Sequence, residues 1–150
     1  MRRLGLALMA GMAISVSSIS ISAAQDGAAT VQVMQNEQLG EILTDGEGRV
    51  LYLFTDDTQG SGGTAPTVSC SGGCLENWPP LFTEGDPQAG EGVDASLLST
   101  VSFNDKMMVT YNGWPLYYFA GDEQPGQTNG QERGDKWYVV NAAGEAVHSD

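Results

Sequence analysis

Two stretches of this chain carry one pattern, and that pattern decides the fold. Residues 48–57 read Gly-Arg-Val-Leu-Tyr-Leu-Phe-Thr-Asp-Asp, and residues 113–122 read Gly-Trp-Pro-Leu-Tyr-Tyr-Phe-Ala-Gly-Asp. Both fit Gly-x-x-Leu-Tyr-x-Phe-x-x-Asp, and a tryptophan follows each copy, Trp78 after the first and Trp137 after the second. Agreement at so many positions in one register indicates an internal duplication.

The residues around the first copy predict β-strands. Residues 50–54 are apolar on both faces of a strand, which indicates a central position in a sheet. We expect residues 42–44 to pair with them as a hairpin, because the residues between are rich in Asp and Gly. The polar residues 25–37 are predicted to form a flexible lead-in, and residues 55–77 a Gly-rich loop.

The second half gives clearer turn signals. Residues 100–103 and 107–111 are predicted strands joined by Asn104-Asp105. Asn112-Gly113 is the strongest short hairpin signal in the chain. We also predict one helical turn at residues 95–98, with Asp94 as its cap.

No stretch shows a sustained helical period, so the predicted fold class is all-β. We expect a single small domain built from two pseudo-symmetric β-hairpin repeats with long Gly-rich loops. The repeats are predicted over about residues 38–84 and 100–147, within a domain of residues 38–150.

The amino-terminal residues have the pattern of a secretory signal peptide over residues 1–24. Arg2 and Arg3 precede a short apolar stretch, and small residues stand before Gln25 as a cleavage site. The apolar stretch is broken by glycine and serine and is too short for a spanning helix, which needs roughly 20 residues. We therefore expect export, with cleavage near Gln25 and no membrane span.

The charge of the chain excludes some partners. Removing Arg2 and Arg3 would leave four basic residues against 19 acidic ones, a net charge of −15. Nucleic acids and anionic lipids bind through lysine and arginine, so neither is an expected partner. A basic protein or divalent cations would be attracted, although acidity also serves solubility alone.

The two cysteines, Cys70 and Cys74, are predicted to form a structural disulfide. An even pair this close in an exported protein is most simply a local bridge, and Gly72-Gly73 lets the chain turn back between them. A redox-active pair and metal ligation remain as alternatives.

Several motifs together resemble a known family of predicted bacterial lipoproteins, also described as a secreted repeat of unknown function. The family pattern Tyr-x-aromatic-x-x-Asp is present twice, followed in the first repeat by Cys-x-x-x-Cys and Trp-Pro-Pro. The residues concerned are Tyr52, Phe54 and Asp57, then Tyr117, Phe119 and Asp122, with Cys70, Cys74 and Trp78 to Pro80. The resemblance covers about residues 38–147 and implies a fold and an envelope location, because the family has no established enzymatic activity.

One departure from the family affects the expected location. Family members often carry a lipid on a cysteine directly after the signal peptide, whereas this chain has Gln25 there and no cysteine nearby. We therefore expect a periplasmic or extracellular protein without a lipid anchor.

Asp57 and Asp122 occupy equivalent places in the two repeats and have two interpretations. They are expected to accept backbone N–H groups in their own turns, as separate local anchors. A pseudo-two-fold axis that brought them together would instead make a paired-carboxylate site.

The aromatic residues also have two interpretations. Most are expected to form the core, because a small β protein has few other large side chains. A binding surface that uses Trp78, Trp114 and Trp137 is the alternative, and Trp114 is the one most expected to be exposed.

The sequence shows no catalytic equipment. His148 is the only histidine and stands near the end of the chain, and no phosphate-binding loop or nucleophile elbow occurs. We therefore expect no enzymatic activity, no catalytic residues, no metal site and no cofactor. The leading hypothesis is an exported binding module of the cell envelope whose partner is a basic protein, such as a respiratory-chain component. The rivals are a redox accessory protein using Cys70 and Cys74, and a cation-binding protein using acidic loops.

Overall fold

The computed structural model describes residues 27–150, and the predicted all-β class is confirmed. Its nine strands are joined by one short α-helix and two 3-10 turns. The strands are β1 Thr30–Asn36, β2 Gly40–Asp45, β3 Tyr52–Phe54, β4 Phe82–Thr83, β5 Gln88–Ala89, β6 Leu98–Phe103, β7 Lys106–Tyr111, β8 Trp114–Pro115 and β9 Trp137–Val139. The predicted signal peptide, residues 1–24, lies outside the described residues.

The first hairpin corrects two predictions. The flexible lead-in predicted for residues 25–37 is wrong over Thr30–Asn36, because this segment is β1 and pairs antiparallel with β2 from Val31 to Asn36. Its alternation of valine with glutamine was a strand signal, and Val31 is fully buried. The strand expected beside residues 42–44 keeps only a short contact there, in which Leu51 N–H donates to the Leu43 carbonyl. The strand then diverges from residues 42–44 and pairs with β9.

The second hairpin follows the local turn signals. β6 and β7 pair from Phe103↔Lys106 outward, and both Asn104 and Asp105 between them have positive φ. Asn112 (φ 51°) and Gly113 (φ 80°) likewise form a two-residue turn of type I′, which leads from β7 to β8. The predicted helical turn is present at Ala95–Leu97, and the Asp94 carboxylate accepts the N–H of Ser96.

The two repeats interleave rather than fold side by side. β3 of the first repeat pairs with β9 of the second, which begins at Trp137. In the equivalent contact, Tyr118 N–H donates to the carbonyl of Pro79, the residue after Trp78. The aromatic strand of each repeat therefore lies beside the tryptophan segment of the other repeat.

The pseudo-two-fold axis passes between Tyr52 and Tyr117. Each of these residues donates its backbone N–H to the carbonyl of the other, at N–O distances of 2.8 and 2.9 Å. Two residues that exchange both bonds are related by a local two-fold in an antiparallel pair. The duplicated motif therefore meets itself at the centre of the molecule.

The central strand has a hydrophobic core on each face, as its apolar pattern predicted. Tyr52 and Phe54 belong to one core, which contains most of the large aromatic side chains. Leu51 and Leu53 belong to the other, which is largely aliphatic. Successive side chains of a strand point to opposite faces, so one strand contributes to both cores.

The predicted disulfide joins Cys70 and Cys74, whose Cα atoms are 5.4 Å apart. The disulfide links Cys74, in the first turn of the short helix Gly73–Asn77, to the loop before this helix. Trp78 follows the helix directly. Cys70 is buried against the aromatic core. Among the described residues there is no helix long and apolar enough to cross a membrane.

The Asn112-Gly113 turn generates a prediction about stability. Gly113→Ala should destabilise the protein by more than Gly63→Ala, although both glycines have positive φ. The left-handed conformation alone costs about 1–2 kcal/mol. At Gly113 a Cβ would also collide with the backbone carbonyl of Gly60, whereas Gly63 has open space. The collision should add about 1–3 kcal/mol.

The free energy of unfolding of the two variants, measured with urea, checks this expectation. Equal losses in Gly113→Ala and Gly63→Ala would contradict the close approach of the two loops.

Candidate functional site

Four aromatic rings form a column at the centre of the first core. Trp78 lies flat on Trp137, with ring centroids 3.8 Å apart and an interplanar angle of 2°. Phe54 stacks on the outer side of Trp137 at 4.1 Å, and Phe119 packs on the outer side of Trp78 at 4.4 Å. The order along the column alternates between the repeats, so the rings of one repeat are held by rings of the other.

Two tyrosines close the sides of this column. The ring of Tyr52 meets Trp78 edge-on at 5.4 Å, and the ring of Tyr117 meets Trp137 edge-on at 5.1 Å. Edge-on and offset-stacked rings are each stabilising, by about 0.5–1.5 kcal/mol beyond the burial of their surface. The column thus obeys the same pseudo-two-fold axis as the backbone.

The hydroxyl group of each of the two tyrosines forms a hydrogen bond to the aspartate of the other repeat. Tyr52 donates to the Asp122 carboxylate, and Tyr117 donates to the Asp57 carboxylate, with O–O distances of 2.6 Å in both pairs. The partners are 70 and 60 residues apart in the chain. All four side chains are buried.

Each of the two aspartates also holds the loop that follows it. Asp57 accepts the backbone N–H of Ser69, and Asp122 accepts the backbone N–H of Asn129. Both aspartates accept backbone N–H groups as predicted, but the donors lie 12 and 7 residues farther along the chain and not in the turn that ends each strand. The expectation that the two aspartates act only as local anchors is wrong, because each also bonds the tyrosine of the other repeat.

The paired-carboxylate interpretation finds no support in this geometry. Asp57 and Asp122 have separate tyrosine partners, and no hydrogen bond joins them. Among residues 27–150 no group of three or more His, Cys, Asp or Glu side chains is placed to hold a metal ion.

Burial shifts the pKa of every member of these two pairs. Desolvation raises the pKa of Asp57 and of Asp122 above the ordinary range, while the tyrosine and backbone hydrogen bonds oppose that rise. Desolvation, and then the bonded carboxylate, raise the pKa of Tyr52 and of Tyr117. The ionised carboxylate is thus stabilised by a neutral phenol that holds its proton firmly.

The predicted tryptophan surface is largely buried. Trp78 and Trp137 are each 6% exposed, so they belong mainly to the core, and Trp114 is half-buried against the aliphatic core. Phe54 and Phe119 are buried as well. The core interpretation of the aromatic residues therefore holds for the whole repeat motif.

One small cavity reaches the column from the surface. Its volume is about 330 Å³, and its walls include the exposed edges of Trp78, Trp137 and Phe119. Arg133 and Lys136 also line it, and sequence reasoning did not single out either of them. The sequence feature that could have identified these two residues is their position just before Trp137, in a chain with few basic residues.

The segment that carries these two basic residues has an unusual backbone. Glu132 (φ 62°) and Asp135 (φ 55°) are left-handed without being glycine, and Gly134 between them is also left-handed. Such conformations persist only where the surrounding structure determines them, and they are enriched at functional sites. Glu132 N–H donates to the Trp137 carbonyl, which ties the segment to the column.

The exchanged hydrogen bonds generate a prediction about coupling. Tyr52→Phe and Asp122→Asn should be coupled in a double-mutant cycle by about 1–2 kcal/mol, because the first removes the donor of a buried hydrogen bond and the second removes the charge of its acceptor. The matched control is Tyr52→Phe with Asp57→Asn, the aspartate of its own repeat, which should be nearly additive. Urea unfolding of the six proteins measures both cycles. Coupling between Tyr52→Phe and Asp57→Asn, with additivity between Tyr52→Phe and Asp122→Asn, would contradict the hydrogen bonds between repeats.

The raised tyrosine pKa values generate a prediction about alkaline stability. A group whose pKa is raised by folding contributes stability that is fully present below its unfolded pKa, about 10 for tyrosine, and lost as the pH rises through the folded pKa. The free energy of unfolding should therefore fall between pH 10 and 11.5. The variant Tyr52→Phe/Tyr117→Phe should show a shallower fall over the same range, measured by urea unfolding. Equal slopes would contradict the effect.

The comparisons with known proteins assign a family. The model of a family described as a secreted repeat of unknown function matches this chain twice, over residues 33–81 and 99–141. No curated protein and no solved structure matches it. The two matched segments contain both copies of the tyrosine–aspartate motif and both column tryptophans. Because they cover more than half of its length, this chain belongs to that family of secreted repeat proteins.

Proposed function

We propose that this protein is an exported, non-enzymatic binding module of the bacterial cell envelope that docks a basic protein through its acidic surface. A small basic cytochrome of the respiratory chain has the chemistry of such a partner. The observation that carries the proposal is the excess of exposed carboxylates over exposed basic side chains.

This excess is large among the described residues. Fourteen Asp and Glu side chains are exposed, against three exposed basic side chains, those of Lys106, Arg133 and Lys136. The one ion pair found within residues 27–150 joins Lys136 to Asp56, at 2.6 Å. Most of the negative charge therefore faces solvent without a basic partner, which favours rapid docking of a positively charged surface.

The redox hypothesis has less support than the docking hypothesis. Thiol–disulfide exchange needs a sulfur atom that an attacking thiolate can reach. Cys70 is 1% exposed and Cys74 is half-buried, and both pack against the aromatic core. That burial favours a structural bridge.

The cation hypothesis also has less support, for a geometric reason. Calcium takes six to eight oxygen ligands that converge on one point. Among residues 27–150, the acidic loops included, no three Asp, Glu, His or Cys side chains converge in this way, and Asp122 is engaged with Tyr52 and the backbone N–H of Asn129.

The docking proposal is tested by binding to a small basic c-type cytochrome at two salt concentrations. The exported protein is immobilised, and binding is measured by interferometry in about 20 mM and about 300 mM sodium chloride. We expect the affinity to fall at least about tenfold at the higher concentration, because salt screens exposed charges. An acidic protein of similar size serves as the control and should not bind. No binding at low salt, or binding that salt leaves unchanged, would contradict the proposal.

Two sets of charge-neutralising variants locate the docking face. Glu84→Gln/Asp86→Asn/Glu91→Gln removes three exposed charges near β4 and β5. Glu47→Gln/Glu123→Gln/Glu145→Gln removes three exposed charges elsewhere and matches the first set in net charge. A defined docking face predicts unequal losses of affinity from the two sets, whereas a diffuse attraction predicts equal ones.

A further inference from the structure

The cavity beside the aromatic column combines an apolar wall of indole edges with a polar wall that carries two basic side chains. Its apolar wall is formed by the edges of Trp78 and Trp137, and its polar wall by Arg133, Lys136 and Asn77. Arg133 and Lys136 are two of only four basic residues outside the predicted signal peptide. Half of the basic residues therefore meet at one cavity of an otherwise acidic protein.

Arg133 is held in place before any ligand arrives. Its guanidinium lies over the ring of Phe119, with the central carbon 4.7 Å from the ring centroid. Its Nε donates to the Asn129 carbonyl at 3.0 Å. Within residues 27–150 this is the one hydrogen bond of the Arg133 side chain, so both terminal nitrogens are left to bind an anion.

Lys136 also carries a positive charge at the cavity, but it should attract an anion less strongly than Arg133 does. Its ammonium group pairs with Asp56, and both side chains are about half exposed, so water screens the pair. A second anion would share this ammonium with Asp56. Arg133 is therefore the principal anion-binding group of the cavity, because its planar fork can grip a carboxylate with two parallel N–H bonds.

We propose that this cavity binds a small aromatic carboxylate, with the carboxylate on Arg133 and the ring against Trp78 and Trp137. A volume of about 330 Å³ is at the lower end of the range for small-molecule sites and suits a compound with one ring. The apolar wall excludes a fully hydrated inorganic anion as the best ligand. The negative net charge of the protein repels every anion, so an anion that binds here needs the added contact with the apolar wall.

This site is separate from the docking of a basic protein. The proposed docking depends on exposed carboxylates, whereas the cavity depends on basic side chains and indole edges. Arg133→Gln removes one positive charge, so it should not weaken the docking of a basic cytochrome. Failure of one proposal therefore leaves the other standing.

Benzoate is the probe that tests the site, with ¹H–¹⁵N spectra of the exported protein as the readout. The indole N–H signals of Trp78 and Trp137 should shift with saturation, at a Kd of about 1 mM for so small a ligand. The indole N–H signal of Trp114 should stay in place, because Trp114 packs against the other core. Acetate, which lacks the ring, and benzamide, which lacks the charge, should each bind at least about tenfold more weakly.

Two arginine variants separate a binding role from a structural one. Arg133→Gln should weaken benzoate binding about tenfold or more, whereas Arg49→Gln should leave it unchanged. Arg49 is a matched control, because its guanidinium also lies over an aromatic ring, that of Tyr118, at 4.5 Å and away from the cavity. Burial raises the pKa of Asp122, and the positive charges of Arg49 and Arg133 both oppose that rise, so a purely structural role of either arginine would change stability and leave benzoate affinity intact.

The outcomes decide the proposal in every case. If Arg133→Gln does not fold, Arg133→Lys keeps the charge without the fork and should still weaken benzoate binding. No saturable shift up to about 20 mM benzoate would overturn the proposal. So would a shift of Trp114 alone, or equal binding of benzoate and benzamide.

Discussion

The stack of Trp78 on Trp137 is the contact on which the rest of the structure depends. Each indole follows the hairpin and loop of its own repeat but packs beside the aromatic strand of the other. Neither repeat can complete its core alone, because half of each core comes from its counterpart. The two repeats are therefore one folding unit, joined at a pseudo-two-fold axis between Tyr52 and Tyr117.

The buried aspartates show how the fold accommodates charge beside an aromatic core. A carboxylate moved out of water is destabilising unless hydrogen bonds replace the water. Asp57 and Asp122 each receive two such bonds, one from a backbone N–H and one from a tyrosine. No described buried side-chain nitrogen or oxygen lacks a partner. The same four bonds join loops to strands and one repeat to the other, so charge burial and repeat assembly are one arrangement.

Negative and positive side chains occupy different parts of this small domain, so the proposed docking surface and the proposed anion site are distinct. Exposed carboxylates are spread over the hairpins and loops, and in the proposed docking they would attract a basic partner at long range. The basic residues Arg133 and Lys136 instead line a cavity over the aromatic column, where in the proposed site they would contact the ligand directly. A left-handed backbone at Glu132, Gly134 and Asp135 holds them there. The duplicated motifs build the pseudo-two-fold core, whereas the segment before Trp137 does not follow the pseudo-two-fold symmetry.

The sequence by itself determined the features that depend on neighbouring residues. The all-β class, the Asn104-Asp105 and Asn112-Gly113 turns and the Cys70–Cys74 bridge were all predictable, because each follows from local conformational preference or short spacing. The β1 strand at Thr30–Asn36 was missed, although its alternating valines carried a readable signal.

Only the tertiary structure decided which repeat each motif serves. Both repeats carry the same tyrosine and the same aspartate, so the pattern is identical whether Tyr52 bonds Asp57 or Asp122. The choice rests on pairing between segments 60 to 87 residues apart, which places each aromatic strand beside the other repeat's tryptophan. The cavity with Arg133 follows from the same choice, because its walls come from both repeats. A duplicated sequence specifies two equal halves. Long-range packing alone selects whether each motif bonds its own half or the other half.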